Sequence, residues 1–235
     1  MATYYWVGGS GTWNASSTTN WSLTSGGSGG AGVPTSADDV RVNSLSGTAS
    51  DTISVVTGAV AKSIIYTGLV DFSGVGQQLL LYGALRIQGP PPSGILNIDD
   101  VVIRAPSGST TIIVVVPMKN LNVINWASPA GPATLSVGSD FTCTNFYNNA
   151  VSMTLTASSY TISCTSCRFE GGSQTFQKKV GEAGKTLNIN ITPSGSTAFY
   201  CDWTYATDEF IGVSVLVSAG YSGTYVASSL QASYQ

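Results

Sequence analysis

Histidine is absent from all 235 residues. Its absence removes the commonest general base, the Ser or Cys triads built on imidazole, and the usual zinc ligand. Charge is scarce as well: nine Lys and Arg stand against twelve Asp and Glu, a net charge of −3 with a pI near 4.7. The basic residues are scattered singly apart from Lys178-Lys179, so no cationic stripe exists and nucleic acid is not expected as a partner. No apolar run approaches the roughly 18 residues of a membrane span, and no membrane partner is expected. The longest candidate, Thr111 to Val116, stops at Pro117 and reads as a buried strand. The stretch from Met1 to Trp6 has neither a positive n-region nor an apolar h-region. Without a standard secretory signal, the expectation is a protein that stays where it is made or leaves by lysis or a nonstandard route. Helical periodicity is missing too, since no stretch holds an i, i+3, i+4, i+7 apolar pattern for three turns.

What remains is β-forming. Hydrophobic residues make up 43% of the chain, and Ser, Thr, Gly and Asn supply most of the polarity. Short β-branched runs follow one another, divided by Gly, Pro or Asp: Val40 to Val42, Thr52 to Val56, Ser63 to Tyr66, Gln78 to Tyr82, Leu96 to Ile98, Thr134 to Val137 and Thr186 to Ile191 among them. A loose unit, Leu-x-Ile or Leu-x-Val followed by a second short strand, begins at Leu79, Leu96, Leu135 and Leu155. A period of roughly 17 to 23 residues without helix points to a solenoid of stacked parallel strands. The fold class is therefore all-β, a parallel β-helix, with an antiparallel β-sandwich or jelly roll as the alternative. Near the C-terminus, Phe210 to Val217 reads as one or two longer strands before a Ser/Ala/Tyr tail. Three segments follow: a cap or docking segment over 1–42, a β-helix-like body over 43–205, and terminal strands and tail over 206–235.

Three of the five tryptophans, Trp6, Trp13 and Trp21, fall in one frame of Gly, Ser and Asn. It reads Trp6-Val7-Gly8-Gly9-Ser10-Gly11-Thr12-Trp13, then Asn20-Trp21-Ser22, then Pro34-Thr35-Ser36-Ala37-Asp38-Asp39-Val40. The patterns W-x-G-G-x-G-x-W, N-W-S and P-x-x-x-D-D-V resemble the segment that leads into the first coil of right-handed β-helix proteins in bacteriophage virions and in bacterial filamentous or autotransporter-type adhesins. The resemblance covers the first 42 residues and implies a right-handed β-helix. It carries less about function, because adhesins, polysaccharide lyases and virion spikes share the scaffold. Ser25 to Gly30 alone would read as a flexible linker. Large rings gain nothing unless covered, so the tryptophans are expected to cap something, with Asp38 and Asp39 as the accompanying structural or interaction residues.

Candidate chemistry is thin. The acidic pairs Asp38-Asp39, Asp99-Asp100 and Asp208-Glu209 would place adjacent side chains on opposite faces of a strand, so each reads as a turn with a carboxylate capping backbone amides. A Ca²⁺ role for Asp38 and Asp39 lacks the D-x-D-x-D-G loop. Cys164 and Cys167 form a C-x-x-C, but Cys143 and Cys201 stand alone, so no second zinc knuckle exists. Cys143, Cys164 and Cys201 each follow an apolar residue by two positions, which suits an internal ladder of buried thiols, with a disulfide or zinc as alternatives. Gly8 to Gly11 lacks the flanking strand and helix of a nucleotide loop, and Asn14-Ala15-Ser16 and Asn20-Trp21-Ser22 are formal glycosylation sequons. No catalytic residue, cofactor or metal is expected.

These readings converge on a rigid, low-charge, non-enzymatic body. Virion proteins are assembled in the host cytoplasm and released by lysis, which reconciles an adhesin-like segment with the missing signal. The expectation is a bacteriophage structural protein in the virion, foremost a capsid decoration or cement protein. Its partners would be other virion proteins such as the major capsid protein and further copies of itself, a trimer first. A tail fibre, spike or adhesin module binding cell-surface glycans is one alternative, and a polysaccharide-degrading enzyme is the other.

Overall fold

A computed structural model describes residues 1–104, 108–124, 133–149, 153–157, 160–169, 179–181, 187–191, 197–201, 209–211, 213–217 and 224–227. The first coils contain β1 (Thr3–Trp6), β2 (Gly11–Trp13), β3 (Trp21–Ser22), β4 (Asp39–Val42), β5 (Thr52–Val55), β6 (Val60–Ala61), β7 (Ser63–Tyr66), β8 (Asp71–Leu81) and β9 (Leu85–Ile87). There follow β10 (Leu96–Arg104), β11 (Gly108–Val114), β12 (Met118–Ile124), β13 (Ala133–Val137), β14 (Phe141–Asn149), β15 (Met153–Ala157) and β16 (Thr161–Phe169). The last are β17 (Lys179–Gly181), β18 (Leu187–Ile191), β19 (Thr197–Cys201), β20 (Glu209–Ile211), β21 (Val213–Val217) and β22 (Thr224–Ala227). Among the described residues there is no helix, and so none long and apolar enough to cross a membrane.

From β6 to β18 the strands alternate between two sheets. One runs β20-β17-β15-β13-β11-β9-β7-β4-β1-β3, and the other runs β2-β5-β8-β10-β12-β14-β16-β18-β21, with β6, β19 and β22 attached beside that path. Every pairing is parallel except β1 with β3. The protein is thus a parallel β-helix, and the antiparallel sandwich is overturned. Parallel strands need long crossovers, and here each crossover supplies the strand of the opposite sheet.

Register ties the coils to one another. Val40 pairs with Ile64, Ile64 with Leu85 and Leu85 with Ile112, all almost fully buried. On the second sheet Leu79, Val101, Leu121, Phe146 and Cys167 form the equivalent inward column. Each such apolar side chain contributes roughly 1.5–3 kcal/mol on burial, and a one-residue slip would turn the whole set to solvent. Counting along the chain, 24, 21 and 27 residues separate successive partners in the first column. In the second column the separations are 22, 20, 25 and 21, so four of these seven coils fall within the expected 17 to 23 residues and three run longer. The sequence unit was also out of phase: Leu96–Ile98 and Val101–Ile103 belong to one bent strand, β10, whereas Leu135 and Leu155 lie in the other sheet.

The bend recurs at one corner. Ile98 and Val101, Met118 and Leu121, Cys143 and Phe146, and Cys164 and Cys167 are all buried, and each pair brackets two residues that are not. The C-x-x-C spacing is one instance of this inward–outward–outward–inward corner and is a packing feature. Cys143 stacks in register on Cys164, as a ladder requires, while Cys167 occupies the neighbouring column under Phe146. Cys201 is not in the ladder, because its backbone pairs with Phe169. Cys143, Cys164 and Cys167 are buried thiols with no disulfide among them. Burial, with the Cys164 thiol beside it, pushes the Cys143 thiol far above its ordinary pKa.

Candidate functional site

The two glycines after β1, Gly8 and Gly9, have φ of 79° and 75°, a left-handed pair that only glycine adopts without strain. They turn the chain so that the Trp6 Nε1–H donates to the Gly9 carbonyl at 2.7 Å. β3 then returns antiparallel along β1, pairing Trp21 with Trp6. Trp13, on β2 of the opposite sheet, reaches the same ring. Trp21 stands edge-on to both, with centroids 4.9 Å from Trp6 and 5.1 Å from Trp13. All three indoles are 0% exposed, so none offers a face on which a sugar could stack. The Nε1–H groups of Trp13 and Trp21 have no acceptor among the described residues.

The chain around these rings is packed. The Asn20 side chain, itself buried, donates to the Val7 carbonyl at 2.8 Å, and the Ala31 amide donates to the Trp21 carbonyl. The glycine-rich stretch is not a linker. Asn43 Nδ2 donates to Ser25 Oγ at 2.8 Å, the Gly30 amide donates to the Thr18 carbonyl, and a Cβ on Gly29 would sit 1.7 Å from the Thr19 carbonyl oxygen.

Asp38 accepts from the Ala2 amide at 2.7 Å, the Thr35 amide at 3.1 Å and the Thr35 hydroxyl at 2.6 Å. It therefore fastens the start of β1 to the turn before β4. The Thr35 hydroxyl bond holds its pKa below the ordinary carboxylate value despite partial burial. Asp39 turns elsewhere, accepting from the Ser63 hydroxyl at 2.5 Å, with Lys62 Nζ 3.9 Å away. The two carboxylates share no ligand position, and no group of three His, Cys, Asp or Glu that could hold a metal occurs among the described residues.

Sequence reasoning passed over Asp51. It accepts from the Ser10 amide and hydroxyl at 3.0 Å and from the Thr48 amide and hydroxyl at 2.8 Å, tying β2 to the turn before β5. These bonds, the Thr48 amide first, hold its pKa down. The signal was present as Thr-x-x-Asp, which occurs as Thr35 to Asp38 and again as Thr48 to Asp51. Asp71 is used similarly, accepting from the Ser93 amide and hydroxyl.

Asp99-Asp100 departs from the expected turn. Both residues sit at the recurrent corner inside β10, where the register shifts, so both avoid the core. Asp99 accepts from the Gly76 amide at 2.5 Å and pairs with Lys119. Those contacts, the Lys119 hydrogen bond first, lower its pKa. Asp100 accepts from Asn120 at 3.0 Å and Asn122 at 3.2 Å, and Asn145 continues the amide ladder onto Asn120 at 2.7 Å. Of the third pair, Asp208 lies outside the described residues.

One further concavity opens between coils. A shallow groove of about 340 Å³ runs beside the connection from β11 to β12, lined by Val115 and Pro117 from that connection and by Asp140, Thr142, Thr161 and Ser163 from the next two coils. The Asp140 carboxylate accepts from the Thr161 amide at 2.6 Å, which fixes its orientation. No protein-family model, curated protein or solved structure matches this chain.

Proposed function

We propose that this chain is a non-enzymatic structural protein of a bacteriophage particle, a decoration or cement protein on the outer capsid. It would assemble in the host cytoplasm and act in the virion, docked on the major capsid protein as a homo-oligomer, a trimer first. One observation carries the structural reading: Asp38, Asp51 and Asp99, which close coil to coil, have both carboxylate oxygens engaged, each accepting from at least one backbone amide. A carboxylate so held is a poor general base, because protonating it costs those hydrogen bonds. The tryptophan frame that resembles virion β-helices, with its indoles turned wholly inward, supports a rigid body. Exposed leucines at the N-terminal coils support docking: Leu45 and Leu69 lie three residues beyond the paired Val42 and Tyr66, and are 62% and 53% exposed. Many weak contacts repeated over a lattice would add as avidity.

Electron microscopy of intact particles labelled against this chain tests the proposal. Signal at regular sites on the head supports decoration, and absence from every particle sinks the virion reading. A second reading, a tail-fibre or spike module that binds cell-surface glycans, is favoured by the groove beside Asp140, and signal at the tail would select it. A polysaccharide-degrading enzyme would instead show turnover on mixed polysaccharides.

A further inference from the structure

We propose that the groove beside Asp140 is a binding site for a neutral hexopyranose chain laid along the solenoid axis. The inference deepens the second reading above and rests on the chemistry of the groove itself. In the first of the coils that line it, Val115 is 52% exposed and Pro117 is also exposed, an apolar patch in a chain whose described outward residues are mostly polar. In the next two coils Thr142, Thr161 and Ser163 supply hydroxyls, each one donor with two acceptor lone pairs. A pyranose has this same division, with C–H groups on one face and hydroxyls around its edge. Shallow walls suit it better than they suit a lipophilic ligand, which requires enclosure.

Asp140 sets the charge preference. One carboxylate oxygen is held by the Thr161 amide, so the group meets a ligand already oriented, and a sugar hydroxyl donating to it would form a charge-assisted bond. No Lys or Arg is among the described residues that line the groove, so a uronate or sialate would face the Asp140 charge without a described counter-charge there. The direction of the ligand follows from register. Thr142 pairs with Ser163, and Pro117 and Thr142 immediately precede the paired Met118 and Cys143, so three successive coils contribute one residue each. Adjacent strands lie about 4.8 Å apart, close to the length of one sugar unit, so a chain crossing the coils meets a new hydroxyl at each step.

The test is a titration of the ¹⁵N-labelled full chain, reading the amide signals of Thr142, Thr161 and Ser163. The probes are α-1,4-glucan, β-1,4-galactan and α-1,6-mannan tetrasaccharides, with tetragalacturonate as the acidic comparison. At least one neutral tetrasaccharide is expected to shift those signals saturably, with a Kd on the order of millimolar. Thr142→Arg, which fills the groove from an exposed position, should weaken binding at least about tenfold. Asp140→Asn keeps an acceptor for the Thr161 amide while removing the charge, and should weaken it by about tenfold. Val115→Asp, at another exposed site, serves if Thr142→Arg does not fold. No response to any neutral probe, tighter binding of tetragalacturonate, or binding that survives filling the groove would each overturn the proposal. None of these results bears on head decoration, which microscopy decides separately.

Discussion

Replacing Trp13 by alanine removes the ring that joins the two sheets at the closed end of the solenoid. Trp13 is fully buried and contacts Trp21, which in turn contacts Trp6, so the cavity would open against the central ring of the set, which cannot fill it without moving β3. Truncating a buried aromatic to alanine costs about 3–5 kcal/mol. At ~2–4 °C per kcal/mol for a chain of this size, that is roughly 6–20 °C in Tm. Trp13→Phe should behave differently. It keeps an edge contact with Trp21 and deletes an N–H that has no acceptor, an orphan that costs about 1–3 kcal/mol, against a lost ring worth about 1 kcal/mol of area. The phenylalanine variant should therefore lie between the parent's stability and about 2 kcal/mol above it. Far-UV circular dichroism during guanidinium unfolding gives the stabilities without relying on indole fluorescence. Hydrogen exchange locates the damage: the Val7, Ala31 and Val56 amides, bonded to Asn20, Trp21 and Trp13 carbonyls, should lose protection first in Trp13→Ala. A loss below about 1 kcal/mol for alanine, or equal damage from phenylalanine, would refute the picture of a lid held by ring packing.

Acid should loosen the first coils. Asp38 and Asp51 have folded pKa values below the 3.8 of an unfolded carboxyl, so their contribution is complete above 3.8 and is lost as pH falls through the lower folded values. Asp38→Asn with Asp51→Asn should flatten the pH dependence of Tm below pH 4, and an unchanged acid limb would count against it. Gly29→Ala drives a Cβ into the Thr19 carbonyl and should cost about 1–3 kcal/mol, whereas Gly89→Ala, with nothing within 4 Å and no positive φ, should be neutral; thermal melts compare them. In a Cys201→Ser background, Cys143, Cys164 and Cys167 should resist a thiol reagent at pH 8 until denaturant is added. Rapid modification of the native protein would show that the thiol column is open to solvent.

Some of this was legible in the primary structure and some was not, and the division has physical causes. Short β-branched runs cut by Gly and Pro announce strands because they act locally, and the tryptophan frame announces a compact end because three rings cannot remain wet. The phase of the coils was hidden, since a corner places two outward residues between inward ones and breaks the period of two on which strand reading depends. For that reason Asp99-Asp100 looked like a turn and Cys164-x-x-Cys167 looked like half a metal knuckle. The turn half of Asp51's role could be read in Thr48-x-x-Asp51, but its tie to Ser10 was hidden because 41 residues separate them.

By itself the sequence determined that this is an all-β chain without imidazole chemistry, carrying a buried aromatic end, because composition and local pattern suffice for those statements. Only the tertiary structure decided which coil lies on which, since parallel register is a long-range pairing that no local segment specifies. That register stacks Cys143 on Cys164, sets Asp51 beneath Ser10, and brings Pro117, Thr142 and Ser163 from three coils to the edge of one groove.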